Sequence, residues 1–101
     1  MKVSTLDGRI SVYAITDGVA IKFGTAIHPG RRLQTLQVSH WRELKHVTDA
    51  RVVNGERIER MIKRFCCRAH IRGEWYWADS YRVQRVVKWL TSMRMRPAIA
   101  S

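Results

Sequence analysis

The segment VYAITDGVAIKFG, residues 12–24, carries two side chains that could take part in chemistry within an otherwise plain β-hairpin pattern. Apolar residues alternate on both sides of Asp17-Gly18, a pair suited to a two-residue turn. Such a turn would make Tyr13 and Lys22 direct cross-strand neighbours, with Cβ atoms about 5 Å apart. The residues beside them on this face are small: Ser11, Ala20 and Gly24. A hydroxyl and an ammonium group with space in front of them could receive a phosphate; alternatively, Tyr13 only covers the aliphatic stem of Lys22.

The net charge also favours a ligand that carries phosphates. The chain has 101 residues, with 19 lysines and arginines against 8 aspartates and glutamates, so its formal net charge is +11. Such an excess favours polyanions, above all nucleic acid, through phosphate contacts and the release of counterions. We therefore expect a nucleic acid, either DNA or RNA, as the partner. A basic surface that only keeps the protein soluble is the simpler explanation.

The central predicted helix has an apolar side and a basic side. At about 100° per residue, one arc holds its apolar residues: Ile58, Met61, Ile62, Phe65 and Ala69, with Cys66 at the edge. The other side is a ridge of arginines, which together with Arg31 is expected to contact nucleic acid: Arg57, Arg60, Arg64 and Arg68. Such a ridge is more often a solvated helix face. Glu59 lies at the border of the apolar arc, where the simplest role is a salt bridge with Lys63.

Other polar residues could assist a site or hold a metal ion. His28 and His40 flank a short predicted helix and could reach phosphate or transfer protons, whereas Glu74 either supports the site or pairs with Arg72. A zinc site is not predicted, because zinc sites use two ligand pairs at set spacings. The adjacent pair Cys66-Cys67 has no second pair. These cysteines are expected to be reduced, with one of them facing the core.

The elements that must position these residues form one α+β domain over residues 1–101. We predict strands at 10–16, 19–25 and 43–51, helices at 30–39, 55–70 and 80–94, an extended aromatic segment at 73–77, and a frayed tail at 95–101. The motif-bearing core covers residues 10–78. The predicted sheet has three antiparallel strands in the order β-β-α-β-α, with flanking helices and a C-terminal helix. At least one ring of Trp75, Tyr76 and Trp77 is expected in the core, and the others could stack on bases.

Neither a membrane segment nor a leader is predicted. No apolar run approaches the ~20 residues that a membrane span needs, and MKVSTLDGRI lacks the apolar centre of a signal peptide. We therefore expect no membrane partner and an intracellular location.

Five features in order resemble the GIY-YIG nuclease family. Ser11-Val12-Tyr13 and Lys22-Phe23-Gly24 resemble its two strand motifs, with nine residues between Tyr13 and Phe23. Arg32 lies eight residues after Gly24, where the family has its helix arginine, and Glu59 in ERMIKRF resembles the family's later glutamate. The segment RGEWYWA is similar to the ending of a phage-associated subgroup whose second motif commonly carries lysine. The resemblance covers about residues 10–78.

The resemblance implies a metal-dependent endonuclease that cuts or nicks DNA, of phage or mobile-element origin, in the cytoplasm of a bacterial host. It assigns Tyr13, Lys22, Arg32 and Glu59 as catalytic residues. Glu59 would hold one Mg²⁺ or Mn²⁺ ion, and Arg32 would bind the scissile phosphate through its planar fork of donors. Tyr13 would act as the general base for the attacking water, and the charge of Lys22 would lower the pKa of Tyr13 or orient the water.

The chain also departs from the family pattern. Ser11 replaces a glycine, Lys22 replaces a tyrosine, Leu36 stands where many members have histidine or tyrosine, and a late asparagine has no counterpart. These departures favour a non-catalytic nucleic-acid-binding module on the same scaffold as an alternative. A second alternative is a phage protein that binds an acidic host protein. A homodimer is an alternative to a monomer, since cutting both strands with one site needs two subunits or two encounters.

Overall fold

A computed structural model describes the chain over residues 9–95, and the side chain of residue 95 is not part of that description. The predicted tail, except for the backbone of residue 95, lies outside the described residues. The elements are β1 (Ile10–Thr16), β2 (Ala20–Ala26), α1 (Pro29–Val38), β3 (Lys45–Val52), α2 (Gly55–Phe65), a 3-10 turn (Cys67–Ala69), β4 (His70–Arg72), β5 (Trp75–Trp77) and α3 (Tyr81–Met95). None of the described helices is long and apolar enough to span a membrane.

The predicted α+β class and C-terminal helix are confirmed, but the three-stranded sheet is wrong. The sheet has five antiparallel strands in the order β3-β1-β2-β5-β4. The two additional strands come from residues 70–77, where Gly73 turns the chain with φ of +56°. Glycine adopts this left-handed conformation without steric cost. The predicted helix to residue 70 therefore ends early: α2 stops at Phe65, and the chain passes through the 3-10 turn into β4.

The hairpin turn consists of Gly18-Val19 rather than Asp17-Gly18. Thr16 pairs with Ile21, and the Asp17 N–H donates to the Ala20 carbonyl at 3.2 Å. Gly18 has φ of +102°, and no described residue other than glycine has positive φ. A two-residue hairpin turn in which only the first central residue has positive φ favours glycine at that position, and Gly18 occupies it.

This turn shifts the predicted register by two positions. Tyr13 pairs with Gly24, and Lys22 pairs with Ile15, so the predicted direct pairing of Tyr13 with Lys22 is wrong. The two side chains still lie on the same face of the sheet, because a shift of two keeps the alternation of a strand.

The sheet separates two layers of helices. On one face, α2 and α3 cover the larger core, which is built on buried residues of alternating strand positions: Val12, Ala14, Ile21, Phe23, Ala50, Val52 and Tyr76. On the other face, α1 covers Tyr13 and Ile15 with Leu33 and Leu36. Tyr76 is therefore the predicted core aromatic of its segment.

Part of the predicted apolar arc of α2 does not reach the core. Ile62, Cys66 and Ala69 are buried, whereas Met61 and Phe65 are exposed. Cys67 is exposed, so one cysteine of the pair faces the core as predicted. Burial raises the pKa of the Cys66 thiol to about 11.

Candidate active site

The ring of Tyr13 packs directly over Gly24, its cross-strand partner. A Cβ atom added to Gly24 would lie 2.5 Å from Tyr13 Oη and 2.7 Å from its Cζ, so only glycine leaves room for the ring. Tyr13 as a whole is only 1% exposed. Its hydroxyl makes no hydrogen bond to any other residue of 9–95, and the Tyr13 side chain is fully buried in the domain.

Lys22 lies on the same face and forms an ion pair with Glu74. Lys22 Nζ donates to Glu74 Oε1 at 2.8 Å, and the Lys22 side chain is mostly buried. Glu74 belongs to the two-residue turn between β4 and β5, and its carbonyl accepts from the Phe23 N–H at 3.3 Å. The turn thus brings a carboxylate to the end of Lys22, whereas no ion pair joins Glu74 to Arg72 within the described part of the chain.

Glu59 approaches Glu74 from the other layer of the domain. Burial raises the pKa of Glu59, and a hydrogen bond and charge repulsion from Glu74 raise it further, against smaller effects of Lys63 and Thr25. Burial also opposes ionisation of Glu74, but hydrogen bonds and the charge of Lys22 outweigh it and lower the pKa of Glu74. The predicted Glu59–Lys63 contact acts only through charge.

These contacts join Lys22, Glu59 and Glu74; together with Tyr13, which lies on the same sheet face as Lys22, we call these residues the carboxylate cluster. It lies at the edge of β2 beyond the end of β5, since β5 pairs with β2 only over Ala20–Lys22. Strands supply Tyr13 and Lys22, a helix supplies Glu59, and a glycine-containing turn supplies Glu74.

The other predicted catalytic residue, Arg32, is not joined to this cluster by any hydrogen bond or ion pair within residues 9–95. Arg32 is exposed on α1, next to Arg31, which is also exposed. His28 is the N-cap residue of α1 and makes no side-chain cap bond. The N-terminal turn of α1 therefore presents cationic and imidazole groups to solvent, free of competing carboxylates.

His40 belongs to a separate contact chain. Its ring stacks on Trp75 at 5.2 Å between centroids, and its Nε2 lies 3.2 Å from Asp17 Oδ2. Trp75 in turn lies under Lys22 Nζ, 5.8 Å from the ring centroid. Burial opposes ionisation of Asp17, but the N–H groups of Ala20 and Val19, with His40 and Arg42, outweigh it and lower its pKa. The sequence did not predict Asp17 as the partner of His40 or the effect of Thr25 on Glu59, because these residues are far apart in the chain.

The predicted arginine ridge of α2 is exposed. Arg57, Arg60, Arg64 and Arg68 all face solvent, and no ion pair joins them to a carboxylate in the described chain. Since their charges are not neutralised by the protein, they can bind anions.

The donor set of the cluster fits a hard divalent cation that keeps most of its water. Magnesium is commonly held by one or two carboxylates, with waters and substrate phosphates completing its shell. Glu59 and Glu74 meet that requirement, and the like charges that raise the Glu59 pKa would be relieved by a cation. A site enclosed by protein does not fit, because residues 9–95 contain no group of three or more His, Cys, Asp or Glu able to hold a metal ion.

Comparison of the chain with protein-family models, curated proteins and solved structures gave no match.

Proposed function

We propose that the protein is a metal-dependent endonuclease that hydrolyses phosphodiester bonds in DNA. The observation that carries the proposal is the meeting of Glu59 and Glu74 beside Lys22, next to the sheet face that Lys22 shares with Tyr13. Acidic groups are rare on a chain of net charge +11, and two carboxylates in contact raise each other's energy. A role in catalysis explains why they are kept together.

Each residue of the cluster has a role that follows from its contacts. Lys22 would neutralise a phosphate oxygen, since its ammonium group can exchange Glu74 for substrate. Glu59 would hold the ion, with Glu74 as a second ligand, while the Tyr13 hydroxyl would orient the attacking water. A bound Mg²⁺ or Mn²⁺ supplies positive charge at the phosphoryl oxygen and a more acidic water. Arg32 and Arg31 would hold the adjoining backbone.

The test is cleavage of plasmid and single-stranded DNA with Mg²⁺, with Mn²⁺ and with EDTA. Glu59→Gln should lower the rate about 100-fold or more, the effect typical of losing one group that stabilises the transition state. Glu43→Gln is the matched control, because Glu43 is exposed and outside the cluster but carries the same charge. Equal rates for the two variants, or no nicking with either ion, would overturn the proposal.

A nucleic-acid-binding module without catalysis is the second candidate. It is favoured by the absence of any hydrogen bond or ion pair between Arg32 and the cluster in the described structure, and by the ion pair that already occupies Lys22 and Glu74. This candidate predicts salt-sensitive DNA binding that neither EDTA nor Glu59→Gln changes.

A further inference from the structure

A second surface, on the far side of α2 from the carboxylate cluster, combines exposed rings with arginines. It comprises Met61 and Phe65 on α2 and Tyr81, Arg82, Arg85 and Trp89 on α3, and we call it the α2–α3 face. Glu59 and Met61 are two residues apart, or about 200° around the helix, so this face and the cluster use opposite sides of α2.

The rings on this face are exposed far beyond what packing requires. Tyr81 is 73% exposed, Trp89 is 42% exposed and Phe65 is 39% exposed. Tyr81 and Trp89 are eight residues apart on α3, which separates them by about 12 Å along the helix axis. Arg85 lies midway between them in sequence, so rings and a guanidinium group alternate along one stripe of α3.

Guanidinium groups lie against two of these rings. Arg82 is 4.8 Å from the centroid of Phe65, and it also donates to the Phe65 carbonyl at 3.1 Å. Arg85 is 5.7 Å from the centroid of Tyr81. These contacts place guanidinium groups beside exposed rings, where a planar base could stack on either partner.

The face contains two hollows, one lined by Phe65 and the other by Arg82. A groove of about 270 Å³ lies along Met61, Phe65, Arg85 and Trp89, and a cleft of about 410 Å³ lies between Arg68, Tyr81 and Arg82. A cavity of about 150 Å³ already admits benzene, so each hollow is large enough for a planar ring. Asp79 is the one carboxylate among the residues lining these two hollows, against three arginines.

We propose that the α2–α3 face binds single-stranded nucleic acid, with bases on Tyr81 and Trp89 and phosphates on Arg68, Arg82 and Arg85. A duplex hides the faces of its bases, whereas an unpaired strand offers them for stacking. A second copy of this chain is disfavoured, because it would oppose two basic surfaces of the same charge. The inference rests on the proposed nucleic-acid function and names a substrate class for it.

The test is fluorescence anisotropy of labelled oligothymidylate, of an abasic oligomer of equal length, and of a duplex of that length. All measurements use the Glu59→Gln chain in EDTA, so that binding is scored without cleavage, and a failure here leaves the cleavage test of the cluster unaffected. Oligothymidylate should bind more tightly than the abasic oligomer, which has the same phosphates, and more tightly than the duplex.

Tyr81→Ala and Trp89→Ala should each weaken oligothymidylate binding roughly 5- to 100-fold, the loss expected for one base stack. The matched control is Trp41→Ala: Trp41 is 86% exposed and lies 5.2 Å from the Arg42 guanidinium, but outside this face. It should leave the affinity unchanged, and circular dichroism should verify that each variant folds. Arg85→Gln should weaken binding even if Trp89→Ala fails to fold.

Equal binding of oligothymidylate and the abasic oligomer would overturn the proposal, because charge alone would then explain the affinity. Unchanged affinity in folded Tyr81→Ala and Arg85→Gln chains would do so as well. Vesicles of anionic lipid or an acidic peptide could displace oligothymidylate while Tyr81→Ala has no effect on its binding. That combination of results would overturn the proposal and assign the face to another partner.

Discussion

Replacing Gly24 with alanine should destabilise the domain, because the new Cβ would overlap the Tyr13 ring. The added atom would lie 2.5 Å from Oη, 2.7 Å from Cζ and 3.2 Å from Cε2, whereas comfortable carbon contacts are about 3.5–4.0 Å. The ring would have to move by about 1 Å. It is enclosed by Ile15, Leu44 and residues of α1, so it cannot move without displacing them.

Overpacking of this kind costs about 1–3 kcal/mol. The change from glycine to alanine also lowers the entropy of the unfolded chain, which stabilises the fold by about 0.4–1 kcal/mol. The net loss is then about 1–2 kcal/mol, or roughly 5–15 °C in Tm for a domain near 100 residues. Thermal unfolding followed by circular dichroism measures this difference.

Gly30→Ala is the matched control, because a Cβ at Gly30 in α1 would meet nothing within 4 Å. It should be neutral or slightly stabilising. Adding Tyr13→Phe to Gly24→Ala should not restore stability, since Cζ remains in place. Adding Tyr13→Leu removes the clashing ring atoms, so the two changes together should cost less than their sum. Equal Tm values for Gly24→Ala and Gly30→Ala would refute the close packing of Tyr13 on Gly24.

The remaining predictions concern the titrating groups. The native state holds the Glu59 proton more tightly than the unfolded state, so this group stabilises the fold at low pH, and that contribution is lost as pH rises through the raised pKa of Glu59. The Glu59→Gln variant should therefore be more stable than wild type by about 0.5–1 kcal/mol at neutral pH and equally stable in acid. Urea unfolding at a series of pH values measures this difference. The Lys22→Met variant should have a raised pKa of Glu74, which carbon NMR of the Glu74 carboxyl group would report. It should also lose the stability that the ion pair gives wild type above the unfolded-state pKa of Glu74, a contribution that disappears in wild type as pH falls. The control Lys45→Met, at an exposed lysine, should leave the pKa of Glu74 unchanged. Cys67 should react with iodoacetamide in the native protein, whereas Cys66 should react only after unfolding, because it is buried and its pKa is raised to about 11. Mass spectrometry measures the modification of each cysteine. Equal rates for the two cysteines would contradict the packing of α2.

Local patterns in the sequence predicted most of the elements. Alternation on β1 and β2 predicted that Val12, Ala14, Ile21 and Phe23 share a face, because the two-residue period of a strand depends on the backbone alone. The cap of α3 was equally local: Ser80 Oγ accepts from the Val83 N–H at 3.4 Å. Asn54 is the N-cap residue of α2, so the predicted start of this helix at residue 55 was right, although the Asn54 side chain makes no cap bond.

Helical spacing could not decide which apolar residues of α2 are buried. Met61 and Phe65 belong to the same arc as Ile62, yet they face the edge between α2 and α3. The direction in which the neighbouring helix packs sets the width of the buried stripe, and that direction depends on contacts between elements far apart in sequence.

The sequence by itself determined the alternation of the hairpin, the shared face of Tyr13 and Lys22, the order of the helices and the net charge of +11. These follow from backbone periods and from composition, which need no knowledge of distant contacts. Only the tertiary structure decided that the turn begins at Gly18, that Tyr13 packs over Gly24, and that Glu74 meets both Lys22 and Glu59. Those contacts join residues up to 52 positions apart, and they depend on how the β4–β5 hairpin packs beside β2. Local sequence patterns do not determine that packing, because many arrangements of the elements are compatible with the same patterns.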